Sequence, residues 1–183
     1  MANVLIVYSS IDGQTARIAE RMATDLRGAG LEVTLHPAWP FDAPWEIETY
    51  DAVVVGGSVR FGHHARALEK WVRERLVQLA KRPAAFFSVS LGAAGTGKRA
   101  HEAVQWRDEF LRRTGWKPAL EASFAGALRY TRYNPVIRLV MRFISGRLNG
   151  DTDTSRDYEY TDWKAVDRFA SDIRTRIAAA GLA

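Results

Sequence analysis

The sequence predicts an α/β fold, in which five parallel strands form a doubly wound sheet within one domain covering residues 1–183. Uninterrupted apolar runs at residues 4–7 and 53–55 are typical of strands buried on both faces of a parallel sheet. The apolar runs are separated by segments with apolar residues at every third or fourth position, which is the period of a helix. A length of 183 residues fits a single domain with a sizeable core.

The first half of the chain begins with an apolar run and then a helical period in which Ile18, Met22 and Leu26 recur every four residues. Gly28 and Gly30 are typical signals for the end of that helix. The next apolar segment alternates with polar residues, which places it nearer an edge of the sheet. The predicted elements are a strand at 3–8, a helix at about 14–28, a strand at 31–36, a proline-rich connection with one helical turn at 37–50, a strand at 52–57 and a helix at 65–80.

In the second half, Pro83 precedes another continuous apolar run and Gly115 closes a helical segment. Thr161 or Asp162 is a suitable N-cap for the last helix. The predicted elements are a strand at 84–91, a flexible glycine-rich loop at 92–97, a helix at 99–114, a fifth strand at 120–128, an inserted segment at 129–150 and a helix reaching about residue 179.

The turn between the first strand and the first helix has the chemistry of a phosphate site. Hydroxyl side chains and helix N-terminal amides converge there, so a phosphate monoester fits without a lysine. The turn resembles the phosphate loop of flavodoxins, with residues 12–15 at the position of their T-G-x-T, although Thr15 as a simple helix cap remains an alternative. The residues predicted to bind the FMN phosphate are Ser9, Ser10, Ile11, Asp12, Gly13, Gln14 and Thr15.

Two further loops end at the same edge of the predicted sheet, where ligands of doubly wound folds bind. A flavin ring needs close backbone approach and a flat apolar surface, which glycines and Phe61 provide, although Phe61 could equally fold onto the core. The residues predicted to contact the ring are Ser58, Val59, Arg60, Phe61, Gly62, Ser90, Leu91, Gly92, Ala93 and Gly95.

Other nucleotide motifs are incomplete. The first turn has the single glycine Gly13, whereas the dinucleotide fingerprint needs three. Residues 92–98 fit G-x-x-x-x-G-K, but Arg99 stands where a P-loop needs a magnesium-binding Ser or Thr. We therefore expect neither a dinucleotide bound by that fingerprint nor a nucleoside triphosphate.

Composition excludes several other classes of site. The chain has no cysteine, so disulfides, thiol catalysis and iron–sulfur ligation are excluded. Its four histidines lack metal-site spacing, and we predict no metal. His63 is a candidate contact for substrate or flavin, with a water-facing position at the helix start as the alternative. No signal peptide or membrane span is expected from the sequence.

The inserted segment carries the net charge of the chain. Residues 129–150 contain five arginines and no acidic residue, while the rest of the chain has 21 residues of each sign. Asn134 and Pro135 are suitable for the start of a helix at 134–148, which is apolar apart from its arginines. Such a helix favours contact with a membrane or an apolar substrate over simple packing on the sheet. Aromatic residues are not arranged as a stacking platform, and we expect no nucleic-acid binding.

Several of these blocks together resemble the quinone-dependent, oxygen-independent protoporphyrinogen oxidases, a flavodoxin-like family of haem biosynthesis. The matching blocks are residues 9–15, 57–63, 88–91, 125–130 with Arg132 and Tyr133, 150–154 and 160–163. The resemblance covers nearly the whole chain. The chain departs from it at residues 92–97, which are richer in glycine than the family leads us to expect.

The resemblance implies FMN as cofactor, protoporphyrinogen IX as donor and a membrane quinone, menaquinone or ubiquinone, as acceptor. It implies hydride transfer to the flavin and a cytoplasmic enzyme, peripheral on the inner face of the cell membrane. No general base can be assigned from the sequence. The candidates for the substrate propionates or an anionic membrane surface are Arg129, Arg132, Arg138 and Arg142.

Two alternatives remain open. An NAD(P)H:quinone reductase of the same fold would show turnover driven by nicotinamide. The second alternative is a flavodoxin that carries electrons without catalysing a reaction. Such carriers are typically acidic, whereas this chain has a pI near 9.7.

Overall fold

A five-stranded parallel sheet forms the centre of the protein in the computed structural model, which describes residues 1–38, 46–147 and 150–182. The strand order is β2-β1-β3-β4-β5, so the alternating strand β2 lies at an edge, as its pattern predicts. The doubly wound α/β prediction is confirmed. The strands of the sheet are β1 (Asn3–Ser9), β2 (Glu32–Pro37), β3 (Ala52–Ser58), β4 (Ala84–Ser90) and β5 (Leu120–Ala125).

Helices cover both faces of the sheet. Asp162 caps the last helix, since its side chain accepts a hydrogen bond from the amide of Ala165. The α-helices are α1 (Gln14–Gly28), α2 (Arg66–Glu74), α3 (Leu76–Leu79), α4 (Lys98–Thr114), α5 (Pro135–Arg147) and α6 (Trp163–Ala179). Short 3₁₀ turns lie at Ile47–Thr49, Gly92–Ala94 and Tyr130–Arg132.

Alternate residues of the central strands build two separate cores. Val4 and Ile6 of β1 face α1 and α6, whereas Leu5 and Val7 face α2 and α4. Phe86 and Phe110 stack in the second core with ring centroids 4.4 Å apart. Burial on both faces explains why these strands read as continuous apolar runs.

The predicted helix at 65–80 is wrong in one respect, because the structure divides it into α2 and α3. Arg75 separates them with φ −120° and ψ 15°, outside the helical region. Its guanidinium lies 4.9 Å from the centroid of the Trp71 ring. The apolar period continues through the break to the buried Leu79, so the sequence pattern shows no interruption.

The fifth strand is shorter than the predicted 120–128. It ends at Ala125, and the chain leaves the sheet at Gly126. The next two residues form β6 (Ala127–Leu128), which pairs antiparallel with β7 (Tyr158–Glu159) in a separate small sheet. Ala127 and Leu128 are buried, so the apolar run continues although the strand does not.

A third, smaller hydrophobic cluster holds the inserted segment. Its buried members are Leu128, Tyr130 and Tyr133, and residues of α5 and β7 pack against them. Asn134 caps α5, since its side-chain oxygen accepts a hydrogen bond from the amide of Ile137 at 2.8 Å. The inserted helix is therefore confirmed over Pro135–Arg147, and the predicted end at 148 lies outside the described residues.

The predicted connection at 37–50 contains the 3₁₀ turn Ile47–Thr49, while its residues 39–45, with Trp39, Pro40, Pro44 and Trp45, lie outside the described residues. Within the described ranges, none of the helices combines the length and apolar character needed to cross a bilayer.

Candidate functional site

A cavity of about 610 Å³ opens at the carboxyl ends of β1, β3, β4 and β5. Its volume is typical of a site for a cofactor or a small molecule. The predicted cofactor residues that line it are Asp12, Gln14, Thr15, Ser58, Val59, Arg60, Phe61, Gly62, Ser90, Leu91 and Gly92. The predicted cofactor residues that are not part of this lining are Ser9, Ser10, Ile11, Gly13, Ala93 and Gly95.

The turn after β1 presents an anion-binding helix terminus to this cavity. Gly13 has φ 85°, a conformation that L-residues rarely adopt, and it precedes α1 directly. Ser10 Oγ accepts a hydrogen bond from the amide of Ala16 at 3.3 Å, so its own hydrogen is free to donate elsewhere. The amides of Gln14 and Thr15 have no hydrogen-bond partner in the described part of the chain. These donors suit a phosphate.

The end of β3 adds a further donor. Ser58 Oγ is buried and lies without a hydrogen-bond partner among the described residues. A buried hydroxyl normally has a partner, and an unsatisfied one costs about 1–3 kcal/mol. Since Ser58 lines the cavity, a polar ligand atom there would satisfy it. The donor set therefore fits the phosphate and polar groups of FMN.

A tight two-residue turn follows β3 and carries an aromatic ring at the cavity. The amides and carbonyls of Arg60 and His63 pair across it at 2.8 and 3.1 Å. Both central residues have positive φ, 51° at Phe61 and 81° at Gly62, which is the pattern of a type I′ turn. Asparagine is the usual first residue there, so Phe61 is strained. Its side chain is nevertheless 70% exposed.

The two histidines beside this turn have different surroundings. His63 is exposed and does not line the cavity. His64 is buried, and its Nε2 lies 3.0 Å from Ser88 Oγ on β4. Burial, and then the nearby His63, lowers the pKa of His64 to about 4, so its ring is neutral. His64 thus connects the turn to the sheet as an uncharged group.

Trp106 of α4 lies against the two loops that follow β3 and β4. A Cβ at Gly62 would lie 3.4 Å from this side chain, and a Cβ at Gly92 would lie 3.0 Å from it. Both glycines therefore permit a close approach of backbone to the indole. Trp106 lines the cavity together with Arg99 and Glu102 of the same helix.

The inserted helix α5 has two apolar faces. The inner face, made of Ile137, Met141 and Ile144, lines the cavity. The outer face is exposed to solvent, with 71% of Val136 and 58% of Phe143 accessible. The four residues of the outer face are Val136, Leu139, Val140 and Phe143. The helix therefore forms a cavity wall with an apolar surface on its far side.

Two of the four candidate arginines are engaged within the protein. The Arg138 guanidinium donates to the carbonyls of Tyr130 and Tyr133 at 3.0 and 3.3 Å. Arg129 donates to Gln14 Oε1 at 2.7 Å and pairs with Glu159 at 3.1 Å. Both therefore position the inserted segment.

The remaining two candidates differ in their surroundings. Arg132 and Arg142 are exposed, and within residues 1–38, 46–147 and 150–182 neither forms an ion pair. One Arg132 nitrogen lies 3.5 Å from the position of a Cβ at Gly13, beside the turn after β1.

Two tyrosine–aspartate pairs lie at the cavity wall, and the first of them connects the inserted segment to the turn after β1. Tyr133 donates to Asp12 Oδ2 at 3.2 Å, and Tyr160 donates to Asp151 Oδ2 at 2.5 Å. Burial, with a smaller contribution from Asp12, raises the pKa of Tyr133 to about 12. Burial and then the hydrogen bond to Asp151 raise the pKa of Tyr160. Both hydroxyls are donors at neutral pH.

Some lining residues were missed from the sequence. Trp106 sits at a helical period and reads as a core residue. Asp151 and Tyr160 lie in the matching blocks 150–154 and 160–163, but they were not predicted to line a site. The apolar stripe of α5 was the signal in the sequence for a helix that lines a groove. Among the described residues, no cluster of three His, Cys, Asp or Glu side chains could hold a metal ion.

Comparison with known families places most of the chain in one of them. Residues 5–155 match the flavodoxin domain family. Two flavodoxin structures share the fold at low identity. Flavodoxin 1 of Bacillus cereus has a TM-score of 0.58 and 15% identity over 95% of this chain and 98% of that one. A short-chain flavodoxin associated with a PDU bacterial microcompartment has a TM-score of 0.59 and 13% identity over 96% and 98%.

Two enzymes are much more similar in sequence. A protein of Escherichia coli K12 named protoporphyrinogen IX dehydrogenase [quinone] is 37% identical over 169 residues, 92% of this chain and 93% of its own. A protein of the same name from Leishmania major is 36% identical over 170 residues, 92% of this chain and 73% of its own.

Proposed function

The chain belongs to the flavodoxin-like protoporphyrinogen IX dehydrogenase (quinone) family, and from that membership we propose that it oxidises protoporphyrinogen IX to protoporphyrin IX with bound FMN and passes the electrons to a membrane quinone. The chain is thus an oxidoreductase of haem biosynthesis in this proposal. The observation that carries it is one cavity of about 610 Å³, which brings together the turn after β1, the loops after β3 and β4 and the apolar inner face of α5.

FMN is the proposed cofactor because the turn after β1 offers donors for one phosphate and the sequence lacks the dinucleotide fingerprint. The amides of Gln14 and Thr15 and the hydroxyl of Ser10 would hold the phosphate. Ser58 would donate to a polar atom of the cofactor. The turns around Gly62 and Gly92 would flank the ring. When bound, FMN supplies two-electron redox chemistry between the donor and the quinone.

The inner face of α5 supports an apolar substrate. Ile137, Met141 and Ile144 provide a surface against which an apolar tetrapyrrole would bury its macrocycle, and they would exclude water from that side. Complete oxidation of the substrate removes six electrons, so three two-electron cycles are needed. A substrate that stays against this face between cycles would avoid releasing partly oxidised intermediates.

The outer face of α5 supports docking on an anionic membrane. Val136 and Phe143 are large and exposed, and the exposed Arg142 and Arg147 lie on the same helix. The Arg147 guanidinium lies 4.5 Å from the centroid of the Phe143 ring, so charge and apolar surface are adjacent. This combination is typical of helices that lie in the lipid interface. We place the enzyme at the inner face of the cell membrane, where the quinone is dissolved.

The proposal is tested with anaerobically purified protein reconstituted with FMN. Protoporphyrinogen IX is added with a quinone or with no acceptor, and in a separate assay NADH replaces protoporphyrinogen IX as the electron donor to the quinone. Porphyrin fluorescence and quinone reduction are both followed. We expect porphyrin to form with quinone as the acceptor. Quinone reduction driven by NADH would instead indicate a nicotinamide-dependent reductase. Flavin binding without either turnover would indicate an electron carrier.

A further inference from the structure

Arg132 of the inserted segment lies beside the turn after β1. The Arg132 Nη1 atom lies 3.5 Å from the position that a Cβ would occupy on Gly13. Gly13 is the residue directly before α1, so this guanidinium stands at the N-terminal end of that helix. A Cβ at position 13 would lie in ordinary van der Waals contact with Arg132, and the residue would be strained by the positive φ.

The backbone around Arg132 is fixed by bonds to other parts of the chain. Thr131 donates to Asp157 Oδ1 from both its amide and its hydroxyl, at 3.0 and 2.9 Å. On the other side, the Tyr133 hydroxyl donates to Asp12 at 3.2 Å. The position of Arg132 beside the turn therefore follows from its neighbours in sequence and does not depend on an ion pair of its own.

Arg132 differs in its ion pairing from two other cations near the turn. Arg17 and Arg129 are nearby cations, but both pair with Glu159. Arg132 has no ion pair in the part of the chain that the structure describes, although Asp157 is close enough to feel its charge. The turn itself contains an acid, Asp12, which would repel an incoming phosphate.

We propose that Arg132 binds the phosphate of the flavin, so that an ion pair from the inserted segment adds to the amides of α1 and offsets the repulsion from Asp12. The inference rests on the proposed function to the extent that it takes FMN as the ligand. It gives the inserted segment a role in holding the cofactor, separate from any role toward the substrate. A bidentate guanidinium–phosphate contact is among the stronger charge-assisted hydrogen bonds.

The test compares FMN with riboflavin, which has the same ring system and no phosphate. Flavin fluorescence titrations give the dissociation constant of each flavin for the wild type, for Arg132→Gln and for Arg132→Lys. Arg156→Gln is the matched control, because it removes an equal charge from a side chain that pairs with Asp153 and Tyr158. Thermal unfolding of the apoproteins checks that each variant is folded.

We expect Arg132→Gln to weaken FMN binding roughly 10- to 100-fold, the range of a charge-assisted hydrogen bond. Riboflavin affinity should stay within about twofold, and the FMN effect should shrink at high salt. Arg132→Lys should recover part of the loss, and Arg156→Gln should change neither affinity.

Two results would overturn the inference. Equal weakening of FMN and riboflavin would make Arg132 a structural support of the turn. Unchanged FMN affinity in Arg132→Gln would show that Arg132 does not bind the FMN phosphate, while FMN would remain the proposed cofactor. Failure of the wild type to bind FMN better than riboflavin would remove the phosphate site itself, and with it the proposed cofactor.

Discussion

The hydroxyl of Tyr133 donates a hydrogen bond of 3.2 Å to the carboxylate of Asp12, a residue 121 positions earlier in the chain. The same hydroxyl accepts a hydrogen bond from the amide of Arg129 at 3.3 Å. Tyr133 therefore ties the inserted segment to the turn after β1 and orders both of them at the cavity.

Tyr133→Phe keeps the ring and removes both hydrogen bonds. We expect the free energy of unfolding to fall by about 1–2 kcal/mol, because Asp12 and a backbone amide each lose a partner. FMN affinity should fall as well, since Asp12 and Arg132 lose their shared support. Urea unfolding and FMN titration measure the two effects. Tyr158→Phe is the control, and equal behaviour of the two variants would contradict the role of Tyr133.

Thr15→Ala tests the phosphate turn. Thr15 is almost completely buried at the first turn of α1, and its hydroxyl would donate to the phosphate. We expect FMN affinity to fall by roughly 1.5–3 kcal/mol. Thr24→Ala on the same helix is the control, because Thr24 is exposed and bonds to the carbonyl of Glu20. Equal FMN affinity of Thr15→Ala and wild type would show that the Thr15 hydroxyl does not bind the phosphate.

Phe61→Asn tests whether the strained turn serves the cavity. Asparagine tolerates positive φ, so we expect the free energy of unfolding to rise by about 1 kcal/mol. Turnover should fall, because the ring that Phe61 presents at the cavity is lost. Phe61→Leu separates the two effects, since it removes the ring and keeps the strain. A stabilised Phe61→Asn enzyme with unchanged turnover would show that the ring has no part in the reaction.

The membrane proposal predicts that exposed arginines of α5 attract anionic lipid. Arg142→Gln combined with Arg147→Gln should weaken flotation with anionic vesicles by about 1 kcal/mol per arginine, less at high salt. Turnover of this double variant should fall with a long-chain quinone and stay unchanged with a water-soluble quinone. Arg112→Gln with Arg168→Gln removes the same charge from α4 and α6 as a control.

Equal loss of turnover with both quinones would place the exposed arginines at the substrate. Unchanged flotation and turnover would refute docking through α5. Arg138 is unsuitable for this test, because it holds two carbonyls of the inserted segment.

His64 predicts an acid-dependent loss of stability. Its pKa falls from 6.5 to about 4 on folding, so the folded state prefers the neutral ring. The folded state therefore has its full stability above pH 6.5, where His64 is neutral in both states. It loses free energy of unfolding as the pH falls toward 4, because the unfolded state binds a proton first. Between pH 7.5 and 5 the loss attributable to His64 is about 2 kcal/mol. Urea unfolding of wild type and His64→Gln measures it, and parallel pH curves for the two proteins would contradict it.

Local patterns were sufficient to predict the sheet and the turn after β1. Apolar runs and helical periods depend on neighbouring residues, and the turn lies within one short stretch of sequence. The break at Arg75 and the exit at Gly126 were not predictable from the sequence. The apolar pattern continues past each of them, to the buried Leu79 and the buried Leu128.

Contacts between residues far apart in the sequence could not be predicted from local sequence patterns. Arg129 and Arg138 look like free cations in the sequence, and it is the fold that gives them Glu159 and two carbonyls as partners. Trp106 reads as a core residue until Gly62 and Gly92 are brought against it.

The small cluster around Leu128, Tyr130 and Tyr133 is separate from the two cores that hold the sheet. A group with so few buried residues contributes less free energy than either large core, so the chain has two levels of cooperativity. We expect the inserted segment to open as a unit while the sheet stays folded, so its amide protons should exchange by that local route. Under the proposed function, a tetrapyrrole would enter from the side through this transient opening, without a permanent channel.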